Sequence, residues 1–381
     1  MRCPITTART RLAPTPCQYS IYTQLRRPTS SCKYIKLQNS LQNSRPLWTA
    51  SIPPILTPPA IFLGLLLGLW TWKCFWIIVL QNKLLYLSWL PPFSRSDQIS
   101  EYESECRPVQ WEEKRIHSLD GTKLAVCQGR IPMAHQIRKR VLICYFQGNG
   151  GSTPLRLPLL SQVVKTISAA EVKDQKTEYI IVALSYRGYW TSSGRATQSG
   201  IERDSQAFLH WVSDTYSMPD TDLRVILWGH SLGSAVASTA LSTYLSRQSS
   251  TTSLVPISGL IMEAPTSNIK DMLISLYPQR WLPYRYLGPF SWNTWCNTTA
   301  LERLADCRDH CESTSIPPIL ILSAEHDEVI PPHVAGQLER RGHELGLDIA
   351  RIDVPKAMHI EAPMKPEGRE ALVGFIVKNT S

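Results

Sequence analysis

Val225-Ile226-Leu227-Trp228-Gly229-His230-Ser231-Leu232-Gly233-Ser234-Ala235-Val236 decides the fold. Four apolar residues run into G-x-S-x-G, and small residues follow. Any long chain can contain that pentapeptide by chance, so its flanks matter. Here RVILW favours a strand, and SAVASTALSTYL favours a helix with small residues toward a sheet. A strand entering and a helix leaving make the pattern a nucleophile elbow. The turn is so tight that the positions two before and two after the serine must nearly lack side chains, a demand glycine meets at least cost. Ser231 is then expected at the tip of a strained turn, at the positive end of the following helix.

A serine hydroxyl needs a base, and the base needs an orienting acid. In folds built on this elbow they follow in the order serine, acid, histidine. Downstream, PPILILSAEHDEVIPP (317–332) is an apolar strand that breaks into an acidic loop closed by two prolines. Asp327 stands just past the strand end and begins D-x-x-[IV]-P, so it is the expected acid. Glu325 and Glu328 read as solvated neighbours. Next, DIARIDVPKAMHIEAP (348–363) gives a strand and then a loop holding His359, before a C-terminal helix. Of nine histidines, His359 alone has both the order and the loop. His117, His135, His310 and His343 lie in polar or charged stretches. His230 points away from the nucleophile, and His326 is a weak competitor beside the acid.

The reaction also needs donors aimed at the developing oxyanion. The Leu232 N–H is one. VLICYFQGNGGSTPLRLPLL (141–160) reads strand, Gly-rich loop, helix, and its Asn149 N–H is the expected second. Without G-K-[ST] or a dinucleotide acid, a phosphate-loop reading of these glycines fails.

The set QGNGG, SYRGYWTSSGRATQSGIERD, GHSLG, HDEVIPP and MHIEAP resembles the Bem46-like group of α/β-hydrolases, which includes the α/β-hydrolase domain-containing lipases 12 and 13. The likeness covers about residues 105–381. It implies Ser231 as nucleophile, Asp327 as acid, His359 as base, and backbone donors at Asn149 and Leu232. Two departures stand out. Gln147 replaces the histidine common before the oxyanion glycine. Ser185-Tyr186-Arg187-Gly188-Tyr189-Trp190 replaces D-Y-R-G-x-G; this tract reads as structural, with Arg187 tying a loop down.

Past residue 105, short apolar strands alternate with helices. Strands are expected near 111–116, 124–127, 141–146, 179–184, 225–228, 260–263, 319–323 and 350–354. Helices are expected near 155–169, 201–216, 231–246, 333–345 and 367–378. The expected fold class is α/β: a mostly parallel eight-stranded sheet of the α/β-hydrolase fold, helices on both faces. A cap insertion at about 264–315 carries Trp281, Tyr284, Tyr286, Trp292 and Trp295. One transmembrane helix precedes the domain.

The first 96 residues hold 11 Lys and Arg and no Asp or Glu, while the remainder balances 29 basic against 31 acidic. The net charge of +9 belongs to this head, so nucleic-acid binding by the domain gains nothing from it. Residues 60–80, AIFLGLLLGLWTWKCFWIIVL, form an apolar run broken by Lys73, long enough to cross a bilayer. Lys73 is expected to snorkel. Tyr86 and Trp89 suit an interfacial belt. The expected organisation is a basic disordered head over 1–59, a transmembrane helix over 60–80, a juxtamembrane linker over 81–104 and a hydrolase domain over 105–381.

Eight basic residues precede the run, which by the positive-inside rule puts the domain in the lumen of the endoplasmic reticulum. The sequons at Asn297 and Asn379 are compatible with that side. An Arg- and Ser/Thr-rich, acid-free start also suits a mitochondrial transit peptide. Ten cysteines show no zinc spacing. Cys144 reads as a core residue, and Cys296, Cys307 and Cys311 as neighbours in the cap. Neither a metal nor an organic cofactor is implied. The expected function is a membrane-anchored serine hydrolase that cleaves a lipid-like ester, a lysophospholipid or monoacylglycerol, through an acyl-enzyme. An acyl-protein thioesterase and a non-catalytic membrane scaffold are the alternatives.

Overall fold

A computed structural model describes residues 53–133, 137–170, 177–218, 221–247, 255–310 and 315–381. Most of the basic head, His135 and Cys311 lie outside these residues. The chain divides into two units, Met1–Ile61 and Phe62–Ser381. The described part of the first is a short 3-10 turn, Pro54–Leu56, and the opening of a helix.

That helix, α1 (Thr57–Val79), has 23 residues and no buried side chain. At 1.5 Å per residue it is about 34 Å long, enough to cross a bilayer. The short α2 (Gln81–Leu85) and α3 (Glu103–Cys106) follow. Eight strands then form one sheet: β1 (Gln110–His117), β2 (Lys123–Arg130), β3 (Lys139–Phe146), β4 (Thr177–Ser185), β5 (Asp222–His230), β6 (Ile257–Glu263), β7 (Ile319–Ala324) and β8 (Ile349–Val354). Their order is β1-β2-β4-β3-β5-β6-β7-β8. β1 and β2 pair antiparallel, as do β2 and β4, and every later pairing is parallel. The helices between and after them are α4 (Leu157–Ala170), α5 (Gln198–Tyr216), α6 (Leu232–Arg247), α7 (Ile269–Leu276), α8 (Asn297–His310), α9 (His333–Glu344) and α10 (Pro366–Thr380).

The central strands are apolar beyond their charged first residues because both faces are covered, and successive side chains serve opposite faces. In β3, Leu142, Cys144 and Phe146 join one core, while Val141, Ile143 and Tyr145 join the other. The first core lies under α5, α6, α8 and α9, and the second under α4 and α10. All eight strands and all five helices expected from the sequence are present, with ends shifted by a few residues.

Three expectations need revision. Segment 264–315 is two objects. α8 belongs to the sheet layer: Leu301, Leu304 and Ala305 enter the first core, and Asn297 bonds α6 through Ser234 and Ser238. The expected cap is thereby shortened to about 265–296. Residues 81–104 are built into the body rather than linking to it. Tyr86 is 2% exposed, accepts a hydrogen bond from Trp295 Nε1 and donates one to Asn293, so it sits in no interfacial belt. Trp89, by contrast, is exposed. Finally, Asn297 is fully buried, and its amide donates to Ser234 Oγ and the Thr266 carbonyl. The folded chain has no room for a glycan there. Cys106, Cys127 and Cys144 are buried thiols.

Candidate active site

The elbow forms where β5 passes into α6. A Cβ on Gly229 would meet the Gly233 carbonyl oxygen at 2.2 Å, and a Cβ on Gly233 would meet the Phe146 carbonyl oxygen at 2.1 Å. These contacts are with backbone, which cannot swing away, so sterics alone fix the two glycines. Ser231 takes φ +53°, a left-handed conformation unfavourable for a residue with a Cβ. The turn is held by its neighbours: the Ser231 N–H donates to the Glu263 carbonyl at 2.8 Å, and the Ser234 N–H to the Ser231 carbonyl at 3.0 Å. The strain is therefore locked between β6 and the first turn of α6.

Asp327 follows β7. Its Oδ1 accepts the N–H groups of Val329 at 2.8 Å and Ile330 at 2.7 Å, and its Oδ2 lies 2.9 Å from His359 Nδ1. His359 follows β8, and its ring stands 5.1 Å, centroid to centroid, from that of His230, the residue before Ser231. The structure thus brings acid, base and elbow together. Ser231 and His359 are both nearly buried. Among the described residues no hydrogen bond joins Ser231 Oγ to His359. Catalytic hydrogen bonds often tighten only around the reacting group.

Glu325 and Glu328 are not simply solvated, as the sequence suggested. Glu328 accepts the His359 N–H at 3.0 Å, and Glu325 accepts the Lys356 N–H at 2.8 Å. The acidic loop therefore clamps the backbone of the loop that carries the base.

The Gly-rich loop after β3 is pinned from two sides. The Asn149 carbonyl accepts from Leu87 N–H at 2.8 Å and from Tyr189 Oη at 2.9 Å. Tyr186 Oη donates to the Gln147 carbonyl at 2.9 Å, and the Gly151 N–H donates to the Leu90 carbonyl at 2.7 Å. Both Asn149 and Leu232 leave their N–H groups without an acceptor among the described residues, as oxyanion donors require. Gln147 is buried, with its side-chain oxygen accepting from Thr153 and its Nε2 unpartnered. Arg187 does tie a loop down. Its guanidinium bonds Asp204, Asp120 and Ser118, and it holds the Asp120 carboxyl well below the usual range. Sequence reasoning missed that the same tract supplies the tyrosines that orient the Gly-rich loop.

Behind the elbow lies a buried polar cluster. Trp228 Nε1 donates to Glu263 Oε2 at 2.9 Å, and His230 Nε2 lies 3.8 Å from Glu263 Oε1. Arg156 Nη2 lies 2.8 Å from His230 Nδ1, so the ring must be neutral to accept from it. Burial and Arg156 push the His230 imidazole well below its ordinary value. Burial raises the Glu263 carboxyl to about 7, against an ordinary 4.5. Nothing in IMEAP marked this glutamate, since a charge ending an apolar strand reads as surface.

The two shifts act oppositely on stability. Glu263 keeps its proton longer when folded, so its contribution is full below pH 4.5 and is lost as pH rises through about 7. His230 is held neutral when folded, so its contribution is full above 6.5 and is lost as pH falls below that. Replacing Glu263 by Gln keeps an acceptor for Trp228 and removes the first effect. The variant's stability relative to the parent should therefore rise between pH 5 and pH 8, by on the order of 3 kcal/mol. Urea unfolding of the detergent-solubilised proteins across that range measures it. A constant difference would show that Glu263 does not titrate there.

A cleft of about 370 Å³ opens between the cap and the acid loop; Met272, Ile274 and Pro278 line one side and Val329 and Ile330 the other. No cluster of three or more metal-ligating side chains occurs among the described residues.

No family model matches the chain. It is 26% identical over 293 residues to the α/β-hydrolase domain-containing protein WAV2 of Arabidopsis thaliana, covering 75% of this chain and 83% of that one. It is 25% identical over 306 residues to Bem46 of Schizosaccharomyces pombe, covering 78% and 86%. A lysophosphatidylserine lipase of Xenopus tropicalis, ABHD12, is 32% identical over 160 residues, 42% of this chain and 38% of that one. Among solved structures, an esterase of Pyrococcus furiosus superposes with a TM-score of 0.49 at 16% identity, covering 74% of this chain and 94% of the other.

Proposed function

We infer that this chain, which resembles the Bem46-like group of α/β-hydrolases, is a membrane-anchored serine hydrolase acting on lipid-like carboxylic esters. One observation carries the reading: Asp327 and His359 pair at 2.9 Å beside an elbow whose serine is held at positive φ.

His359 Nε2 takes the Ser231 proton as Oγ attacks the ester carbonyl. Asp327 holds the opposite ring nitrogen and stabilises the imidazolium. The Asn149 and Leu232 N–H groups receive the oxyanion of the tetrahedral intermediate. The intermediate collapses as His359 protonates the departing alcohol, leaving an acyl-Ser231 ester. Water, deprotonated by His359, releases the acid and restores the serine.

Three features support a lipid substrate. α1 is long and apolar enough to anchor the chain at a bilayer. The cleft beside the acid loop presents Met272, Ile274, Pro278, Val329 and Ile330 among its polar lining residues. The Xenopus relative is a lysophosphatidylserine lipase, which favours lysophospholipids or monoacylglycerols here. We place the domain in the lumen of the endoplasmic reticulum on the eight basic residues before the apolar run, with no support from the buried Asn297.

A panel of lysophospholipids, monoacylglycerols and acyl thioesters, assayed with the membrane-embedded chain, tests the substrate. Turnover of the oxygen esters is expected. Turnover of thioesters alone would assign the site to acyl-protein thioesterase chemistry, and turnover of none would favour a scaffold.

A further inference from the structure

The apolar run contained one residue that did not belong in it, and the structure shows what Lys73 does. Its ammonium lies 4.3 Å from the ring centre of Tyr284 and 5.8 Å from that of Tyr277, both in the cap. Trp70 packs on Trp281 with ring centroids 6.1 Å apart. The half-covered residues of α1 beyond Ile61 include Leu66, Trp70, Cys74, Ile77 and Ile78, a helical stripe on one face. At its end, Gln81 bonds the Phe290 carbonyl and the Trp292 N–H, and Asn82 bonds Asn293. The cap therefore lies along α1 from Trp70 to its C-terminal end, not beyond that end.

This has a geometric consequence. Trp70 is nine residues short of Val79, about 14 Å back along the helix. If α1 crosses a bilayer of about 30 Å, a cap residue beside Trp70 stands at hydrocarbon depth. The cap surface suits that position. Leu276, Trp281, Tyr286, Phe290 and Trp292 are each more than half exposed. Residues 272–292 contain no Asp or Glu and two arginines, Arg280 and Arg285. Aromatic residues with arginine and no acid match the boundary between headgroups and acyl chains.

We propose that the cap is embedded in the membrane leaflet that α1 leaves, with its exposed face against lipid, so that substrate enters the site from the bilayer. This rests on the membrane-anchored reading above. Lys73 is then a contact between helix and cap: its side chain stays exposed, but its ammonium is set over two aromatic faces. The occupant is the leaflet itself: the face is continuous with a helix already read as spanning it.

The test uses the full chain in phosphatidylcholine nanodiscs, open to solvent on both sides. Leu276→Cys and Phe290→Cys are compared with Leu119→Cys on the β1–β2 turn, each measured above the parent's labelling by a water-soluble maleimide. In the nanodisc, labelling of both cap variants is expected to be at least tenfold slower than that of Leu119→Cys. Cap variants that label as fast as Leu119→Cys in the nanodisc would overturn the proposal. A membrane-permeant, lipid-soluble maleimide is expected to label both cap variants in the nanodisc; failure of that reagent would overturn the proposal too, by showing that the face is covered by protein. Release of the whole chain by alkaline carbonate would instead mean that the anchor reading has failed.

Discussion

Ser231→Ala is expected to lower turnover of any ester substrate by at least about 10⁴-fold while leaving the fold intact. The alanine keeps the Cβ, and with it the same strain at positive φ, and removes only Oγ. Among the described residues Oγ makes no hydrogen bond that holds the structure together. The N–H of residue 231 would still reach the Glu263 carbonyl, and the N–H of residue 234 the carbonyl of residue 231. Thermal unfolding should therefore move little. Residual hydrolysis above background would reflect the two backbone donors alone. Rates with p-nitrophenyl acetate, beside a melting curve, separate the outcomes. Lost activity with an unchanged melt identifies the nucleophile. Preserved activity would move the chemistry to another residue.

Asp327→Asn should cost nearly as much, for a different reason. The Asp327 Oδ1 is fixed by two backbone N–H groups, from Val329 and Ile330. An asparagine must keep its oxygen at that position, so its amide NH₂ is forced to face His359 Nδ1. The imidazole must then carry its proton on Nε2, where it cannot accept from Ser231. A tautomer enforced in this way lowers kcat by about 10⁴-fold in the serine protease precedent. We expect that scale here, with KM nearly unchanged. A tenfold loss or less would mean that Asp327 is not the orienting acid. Glu328, already bonded to the His359 N–H, would be the next residue to replace.

The sequence made legible what depends on local pattern. The apolar strands, the elbow and the order of acid and base are all written in short contiguous stretches. Gly229 and Gly233 were readable because the steric demand of the turn is the same in any chain that makes it.

The features that were missed depend on pairings far apart in sequence. Glu328 looked like a solvated charge because nothing local says that residue 359 returns beside it. Tyr186 and Tyr189 looked structural because only the register of β3 against β4 brings them to the Gly-rich loop. Tyr86 had the composition of a membrane-interface residue, yet Trp295, 209 positions away, buries it. Lys73 is the clearest case. From sequence it was a cost to be relieved by snorkelling. In the structure its charge rests on two cap tyrosines, a solution no inspection of residues 60–80 suggests.

The central claim is that His359 activates the hydroxyl at the tip of the elbow. A fluorophosphonate probe applied to native membranes tests it most directly, because the probe bonds only to an activated serine. One adduct per chain, mapped by mass spectrometry to the peptide bearing Ser231 and lost in His359→Ala, is the predicted result. No adduct on a chain that remains folded would contradict the claim, as would one that persists without His359.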